Sequence, residues 1–293
     1  MNDAHRDRLA GAPGEPPTPL LLIIGGDRRN ACLATRFAAA GLAVRTLALD
    51  EKSAIPAWHD PIWHSFSVIV GPIPFSENGK TLHAPCHAGT IPIVDFLDAL
   101  ADTATLYAGT LPANAHPRCR TVDLTRNLAL YDRNLVATAE GVLQTLLNQI
   151  EFTLAGSDVL VAGYGKVGRI VAQRLRALDA RVAVYSADPD ERARIPPPLR
   201  NAELTDLSAY RIVINTIPAR VFDAGNLPTL DHSALLLDVA SFPGGVDSSF
   251  AAKIGLQLLR APGLPGRKAP ETVAAAMSEI ILADIGKDFR QST

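Results

Sequence analysis

Apolar residues in the first third of the chain fall in short unbroken runs. Residues 20–24 are all apolar, as a parallel strand buried on both faces requires. The run stops at Gly25-Gly26-Asp27, and residues 29–40 then read as a helix closed by Gly41. Residues 43–47 and 66–70 give two more strands, the second ended by Gly71-Pro72-Ile73-Pro74. A helical stretch over 92–101 leads to a strand at 105–108, and 120–124 makes a last short one. Strands alternating with helices predict a doubly wound parallel sheet.

Residues 134–150 form a long helical pattern, with Leu135, Val142, Leu146 and Ile150 among its apolar positions. After Ala155-Gly156-Ser157 the alternation restarts, with strands expected at 159–162, 182–185, 212–215, 234–239 and 256–259. A final helix over 270–285 places Val273, Met277, Ile280 and Ile281 on one face. The expected fold is α/β. It comprises two doubly wound, parallel-sheet, Rossmann-like domains with an inter-domain cleft, joined by a long helix, with a C-terminal helix returning to the first. The expected boundaries are a tail over 1–19, a flavodoxin-like substrate domain over 20–133, the connecting helix over 134–150, a dinucleotide-binding domain over 151–269 and the returning helix over 270–293. Ligands of open α/β sheets bind at strand carboxyl ends, which puts the expected active site in the cleft.

Composition narrows the function classes. With 293 residues, 47% hydrophobic and 20% charged, the chain has ample material for buried cores and is not disordered, coiled-coil or collagen-like. A net charge of −2 offers no global positive field for nucleic acid or an anionic membrane. No apolar run approaches the roughly 18 residues a membrane span needs. Residues 1–19, rich in Gly and Pro, lack an apolar signal core and read as a flexible tail. Cys32, Cys86 and Cys119 are odd in number and have no Cys-x-x-Cys spacing, which suits a reducing cytoplasm and argues against disulfides or structural zinc. His83, Cys86 and His87 are split by Pro85 and read as a surface loop, so no metal is expected; His59 and His64, around Trp63, read as packing or exposed residues.

Gly163-Tyr164-Gly165-Lys166-Val167-Gly168 follows an apolar strand and opens a helix, which is the context a dinucleotide fingerprint needs. Gly163 permits the tight turn, Gly165 lets the backbone approach a pyrophosphate, and Gly168 lets the helix pack on the strand. At the end of the next strand an acidic residue would accept both ribose hydroxyls and repel a 2′-phosphate. The chain has Ser186 there, followed by Asp188. Ser186, with Arg192 or Arg194, suits a 2′-phosphate, whereas Asp188 swung inward would suit NAD. The balance leans slightly to NADP.

Ile214-Asn215-Thr216-Ile217-Pro218, Leu237-Asp238-Val239-Ala240-Ser241-Phe242-Pro243-Gly244-Gly245 and Ala261-Pro262-Gly263-Leu264-Pro265-Gly266 add to this. Together with Ile24-Gly25-Gly26-Asp27, Arg29 and Thr138-Ala139-Glu140-Gly141, they closely resemble the dipicolinate synthase A-subunit family. The likeness is dense after Asn134 and sparse over 50–133. It implies a nicotinamide-dependent dehydrogenase that aromatises dihydrodipicolinate, or its hydrated form, to dipicolinate on a branch of the lysine pathway. It also implies a partner, the flavoprotein-like B subunit, and a role in sporulation. Two positions depart from the family pattern: Phe242 stands where a basic residue is usual, and Ala137 where a proline is usual.

A substrate with two carboxylates calls for fixed cations. Arg29 is the leading clamp, with Arg220 and the weaker pair Arg267-Lys268 as further candidates, and Ser241, Gly244 and Gly245 as substrate-binding positions. Glu140 suits proton acceptance or capping, and Asp27 suits orienting Arg29 or capping a helix. Asp238 is expected to hold the turn after its strand. The expected cofactor-binding residues are Gly163, Gly165, Lys166, Val167, Gly168, Ser186, Asp188, Asn215, Thr216, Ile217, Pro218, Ala240, Gly263 and Leu264. A homo-oligomer is expected. The rival readings are a shikimate- or 2-hydroxyacid-type dehydrogenase, or a dinucleotide-binding sensor or assembly component without turnover.

Overall fold

The computed structural model describes residues 20–291, so the expected tail over 1–19 lies outside the described residues. The chain divides into two compact units. One runs up to Arg133 and takes back the C-terminal segment from Pro270; the other is Asn134–Ala269.

In the first unit, β1 (Leu21–Ile24) is followed by α1 (Arg28–Ala39) and β2 (Val44–Leu47). Then come β3 (Val68–Val70), α2 (Ile93–Ala99), β4 (Thr105–Ala108) and β5 (Arg120–Asp123). All neighbours pair parallel in the order β2-β1-β3-β4-β5. This is the 2-1-3-4-5 order of a flavodoxin-like sheet, in which the direction of strand addition reverses between β1 and β3. The apolar run of β1 is completely buried, as its sequence requires. Between β2 and β3 the loop buries Trp63, which stacks on Trp58 at 5.3 Å, its indole N–H donating to the Ala57 carbonyl. The long helix α8 (Pro270–Gln291) packs along α1, and Asp284 on it accepts from the Tyr107 hydroxyl at 2.7 Å and from Arg120.

The helix α3 (Leu128–Leu147) carries the chain into the second unit. It begins earlier than apolar spacing indicates because the Asn127 side chain accepts from the Leu130 N–H and starts the helix there. The second unit then contains β6 (Asp158–Ala162), α4 (Lys166–Ala177), β7 (Arg181–Tyr185), α5 (Pro189–Ala193) and β8 (Arg200–Asn201). These are followed by β9 (Ile212–Asn215), β10 (Leu235–Asp238), α6 (Ser248–Lys253), β11 (Leu258–Arg260) and α7 (Leu264–Lys268). The sheet order β11-β10-β9-β6-β7-β8, parallel throughout, is the 3-2-1-4-5-6 order of a dinucleotide-binding sheet read from its other edge. Its reversal lies between β6 and β9. The two-residue strand β8 has no apolar signal, and spacing along the chain does not reveal it. β11 lies later than the apolar run at 256–259 because its register is set by pairing, Asp238 standing opposite Arg260.

At the start of β6, Asp158 accepts two hydrogen bonds from Arg181 on β7 and a longer one, at 3.4 Å, from Arg200 on β8. The Arg181 hydrogen bonds hold the Asp158 carboxyl below the ordinary carboxylate range. A group depressed in this way contributes stability above its unfolded-state value, near pH 4, and loses it as pH falls through the folded-state value. Asp158→Asn is therefore expected to lower unfolding stability at pH 7 by about 1 kcal/mol. In urea titrations repeated toward pH 3 its deficit relative to the parent should shrink; an unchanged midpoint at pH 7 would contradict the assignment.

Candidate functional site: a glycine turn and a buried arginine at two sheet reversals

The glycine turn after β6 sits at the reversal of the second sheet. Gly163 has φ of +103° and donates its N–H to the Tyr185 carbonyl at 2.8 Å. A Cβ at Gly163 would overlap the Thr216 hydroxyl, and one at Gly168 would overlap the Gly163 carbonyl oxygen. Helix α4 approaches β6 that closely only because both residues lack side chains.

Gly165 differs. Its φ of −64° suits any residue, and the nearest atom to a Cβ there is Glu191 Oε1 at 3.8 Å. Nothing among the described residues demands glycine at this position, which is therefore open to a ligand. Among the described residues no side chain caps the start of α4, and the first-turn N–H groups of a helix have no intrahelical partner. An open glycine and an uncapped helix start fit a pyrophosphate. Lys166 is exposed and Val167 half-buried beside them.

Around the end of β7 the expected contacts are rearranged. Ser186 is buried, donates its hydroxyl to Glu191 Oε2 at 2.6 Å and accepts from the Asp188 N–H at 3.2 Å. Asp188 caps α5, its Oδ1 accepting from the Asp190 and Glu191 amides. Arg192 lies 4.0 Å from Glu203. Glu191, which sequence reasoning passed over, stands with Tyr164, Gly165, Lys166, Arg169 and Arg194 around a pocket at the turn. The only signal for it in the sequence is its place one helical turn beyond Asp188. Burial raises the Tyr164 hydroxyl above its ordinary value.

The loops after β9 and β10 are tied by a buried pair. Asn215 gives one amide hydrogen to Asp238 Oδ1 at 2.8 Å and the other to the Ile217 carbonyl at 2.9 Å, while its oxygen accepts the Ile217 N–H. Both side-chain donors are thus consumed, and Asn215 has no side-chain hydrogen to offer a cofactor. Asp238 also accepts from the amides of Ala240 and Gly245 and has Arg260 at 3.9 Å, so it does hold the turn after its strand. A side chain at Gly244 would meet Arg260 and Asp238, and one at Gly245 would meet Asn215 and the Ile217 carbonyl. Ser241 and Phe242 are exposed. Thr216 donates its hydroxyl to the Ala162 carbonyl at 2.9 Å; Ile217 is half-buried, and Pro218 is exposed.

Arg220 is exposed and 3.3 Å from Asp247. The Ser249 hydroxyl and Phe250 amide, with Arg220 assisting, hold the Asp247 carboxyl below its ordinary value. Gly263, with φ of +66°, starts α7, whereas the Leu264 side chain belongs to the core and packs 3.0 Å from where a Cβ on Gly141 would stand. That explains a glycine inside α3. Glu140, next to it, is exposed and 3.8 Å from Arg174.

In the first unit the residues around Arg29 gather at the other reversal, between β1 and β3. Asp27 caps α1 through the Arg29 N–H and also accepts from Arg29 Nε at 2.9 Å and Nη2 at 2.8 Å, performing both expected roles. Arg29 Nη2 also donates to the Ile73 carbonyl, and Asn30 reaches the Gly71 carbonyl at 3.3 Å, so both bridge from the first turn of α1 to the loop after β3. Arg29 is buried rather than solvated. His83 lies 3.3 Å from Glu77, and among the described residues no group of three or more His, Cys, Asp or Glu side chains is placed to hold a metal ion. No helix among the described residues is long and apolar enough to cross a membrane.

The two kinds of glycine in the turn should respond differently to substitution. Gly165→Asp is expected to fold normally and lose nucleotide binding, because it puts a carboxylate where a pyrophosphate must approach. Gly168→Ala is expected to cost about 3 kcal/mol or more in stability, since backbone must move. Thermal melts and nucleotide titrations check both; undiminished nucleotide affinity in Gly165→Asp would misplace the phosphate site.

Comparison with known proteins agrees with this architecture. Residues 21–132 match the family described as the dipicolinate synthase A-subunit N-terminal domain. Residues 120–240 match the NAD-binding domain of D-isomer-specific 2-hydroxyacid dehydrogenases, so the second unit carries an NAD-binding domain of that type. The dipicolinate synthase A-subunit of Bacillus subtilis is 34% identical over 160 residues, a stretch covering 53% of each chain and so about half the length of that relative. The solved structure of the Bacillus subtilis A-subunit shares the fold at TM-score 0.74, with 24% identity over 94% of this chain and 100% of that one. That of Bacillus halodurans gives TM-score 0.75 and 25% identity over 91% and 97%. The first unit thus matches the A-subunit N-terminal domain, and the chain is similar to dipicolinate synthase A-subunits in sequence over about half its length and in fold over nearly all of it.

Proposed function

We propose that the chain is an NAD(P)-dependent oxidoreductase that oxidises dihydrodipicolinate, or its hydrated precursor, to dipicolinate, and that it works beside a flavoprotein-like B subunit. The observation carrying this reading is the presence, in a chain whose first unit matches the A-subunit N-terminal domain, of a glycine turn whose central residue is open to a ligand. Aromatisation of the ring removes a hydride from one carbon and a proton from another, and the nicotinamide, when bound, supplies the hydride acceptor. The backbone at Gly163, Gly165 and Gly168 and the start of α4 hold the pyrophosphate, while Thr216, Ile217, Pro218 and the Gly263 turn border the nicotinamide.

In the first unit Arg29 binds one carboxylate of the diacid. Asp27 takes Nε and Nη2, which fixes the plane of the guanidinium, and Nη1 makes no hydrogen bond among the described residues. A fixed fork recognises a carboxylate with little loss of side-chain entropy. Glu140 and Arg220 lie near charges of their own, Arg174 and Asp247, and this reading assigns neither of them a step.

The protein supplied with dihydrodipicolinate synthase, its substrates and either nicotinamide cofactor is expected to generate the near-ultraviolet absorbance of dipicolinate, if needed after addition of the B subunit. Cofactor binding without product under all these conditions would instead favour a dinucleotide-binding sensor. Arg29→Lys, which keeps a cation but not the fork, is expected to raise KM for the diacid about tenfold with nucleotide affinity unchanged.

A further inference from the structure

We propose that Glu191 reads the adenosine ribose and makes the second unit select NAD over NADP. The inference rests on the oxidoreductase reading for its biological use, but on the nucleotide turn alone for its geometry. An acidic acceptor for the ribose hydroxyls normally ends the strand that follows the glycine turn. In this chain Ser186 occupies that position, which by itself favours a 2′-phosphate. The structure reassigns the hydroxyl: it donates to Glu191 Oε2 at 2.6 Å, so the serine positions a carboxylate instead of meeting the nucleotide. Asp188 is committed to capping α5 and does not supply the charge.

Glu191 Oε1 is turned toward the glycine turn, 3.8 Å from where a Cβ on Gly165 would stand. It is half-buried and is the one acidic residue among the described residues lining the pocket. A carboxylate there accepts hydrogen bonds from a ribose diol and repels a phosphate ester on the same oxygen. Arg169 and Arg194 line the same pocket, and a preference for NADP+ in the titration below would mean that their charge outweighs that of Glu191. Arg192 lies near Glu203. The acid that a dinucleotide sheet usually carries at its strand end is thus delivered from the first turn of the next helix, with a serine as its anchor.

Calorimetric titration of the whole chain with NAD+ and NADP+, with no substrate present, tests this. The parent should bind NAD+ at least about tenfold more tightly than NADP+. Glu191→Gln keeps the shape and an acceptor for Ser186 but removes the charge, and should narrow that ratio mainly by strengthening NADP+ binding. Glu191→Ala should weaken NAD+ binding about tenfold through loss of the ribose acceptor. Equal affinities in the parent, a preference for NADP+, or a ratio unmoved by Glu191→Gln overturns the proposal. Binding of neither nucleotide overturns it together with the oxidoreductase reading. NAD+ selectivity that depends on Glu191 upholds it even where no dipicolinate forms.

Discussion

Asp238 carries a carboxylate 1% exposed into the carboxyl edge of the second sheet, where an ionised group survives only when its lone pairs are satisfied. The Asn215 amide and the Ala240 and Gly245 N–H groups satisfy it, with Arg260 close by. That demand shapes the chain around it. The loop after β10 must fold back far enough for the Gly245 amide to reach the carboxylate, and Gly244 must take a φ of +87° with no room for a side chain. Asn215, held on both sides, fixes Ile217 at the mouth of the neighbouring loop. A run of residues that reads as a ligand-binding signature is thus largely an account of how one buried charge is accommodated.

The glycines divide along the same line. Gly163, Gly168, Gly244 and Gly245 are required by atoms of the chain itself, because a Cβ at any of them would strike a neighbour. Gly165 is required by none, and so it is the position whose identity points outward. The first unit has a parallel in Arg29. Asp27 neutralises and orients it, and the cation ties the loop after β1 to the loop after β3. In both units the site is built on loops leaving strands at the point where the sheet reverses direction, because there two neighbouring loops diverge and leave a gap.

Much of the architecture was legible in the sequence because it depends on local patterns. Unbroken apolar runs such as 20–24 and 212–214 can be stable only as strands covered on both faces, and their alternation with helices fixes the class. The glycine spacing from Gly163 to Gly168 is equally local, since it records the curvature of a single turn. Weak signals failed for a physical reason as well. β8 is two polar residues held by pairing with β7, and the start of α3 is set by one Asn127 hydrogen bond, neither of which leaves an apolar period.

The sequence by itself determined the class, the strands other than β8 and the place of the nucleotide turn, because each follows from chain-local burial and backbone geometry. Only the tertiary structure decided the partners of the polar residues. It gave the Ser186 hydroxyl to Glu191, spent both amide hydrogens of Asn215 within the fold and joined Arg29 to a loop more than forty residues away. A polar side chain has several possible partners of nearly equal energy. Which one it takes depends on which strand ends lie side by side, and that is settled by sheet order rather than by spacing along the chain.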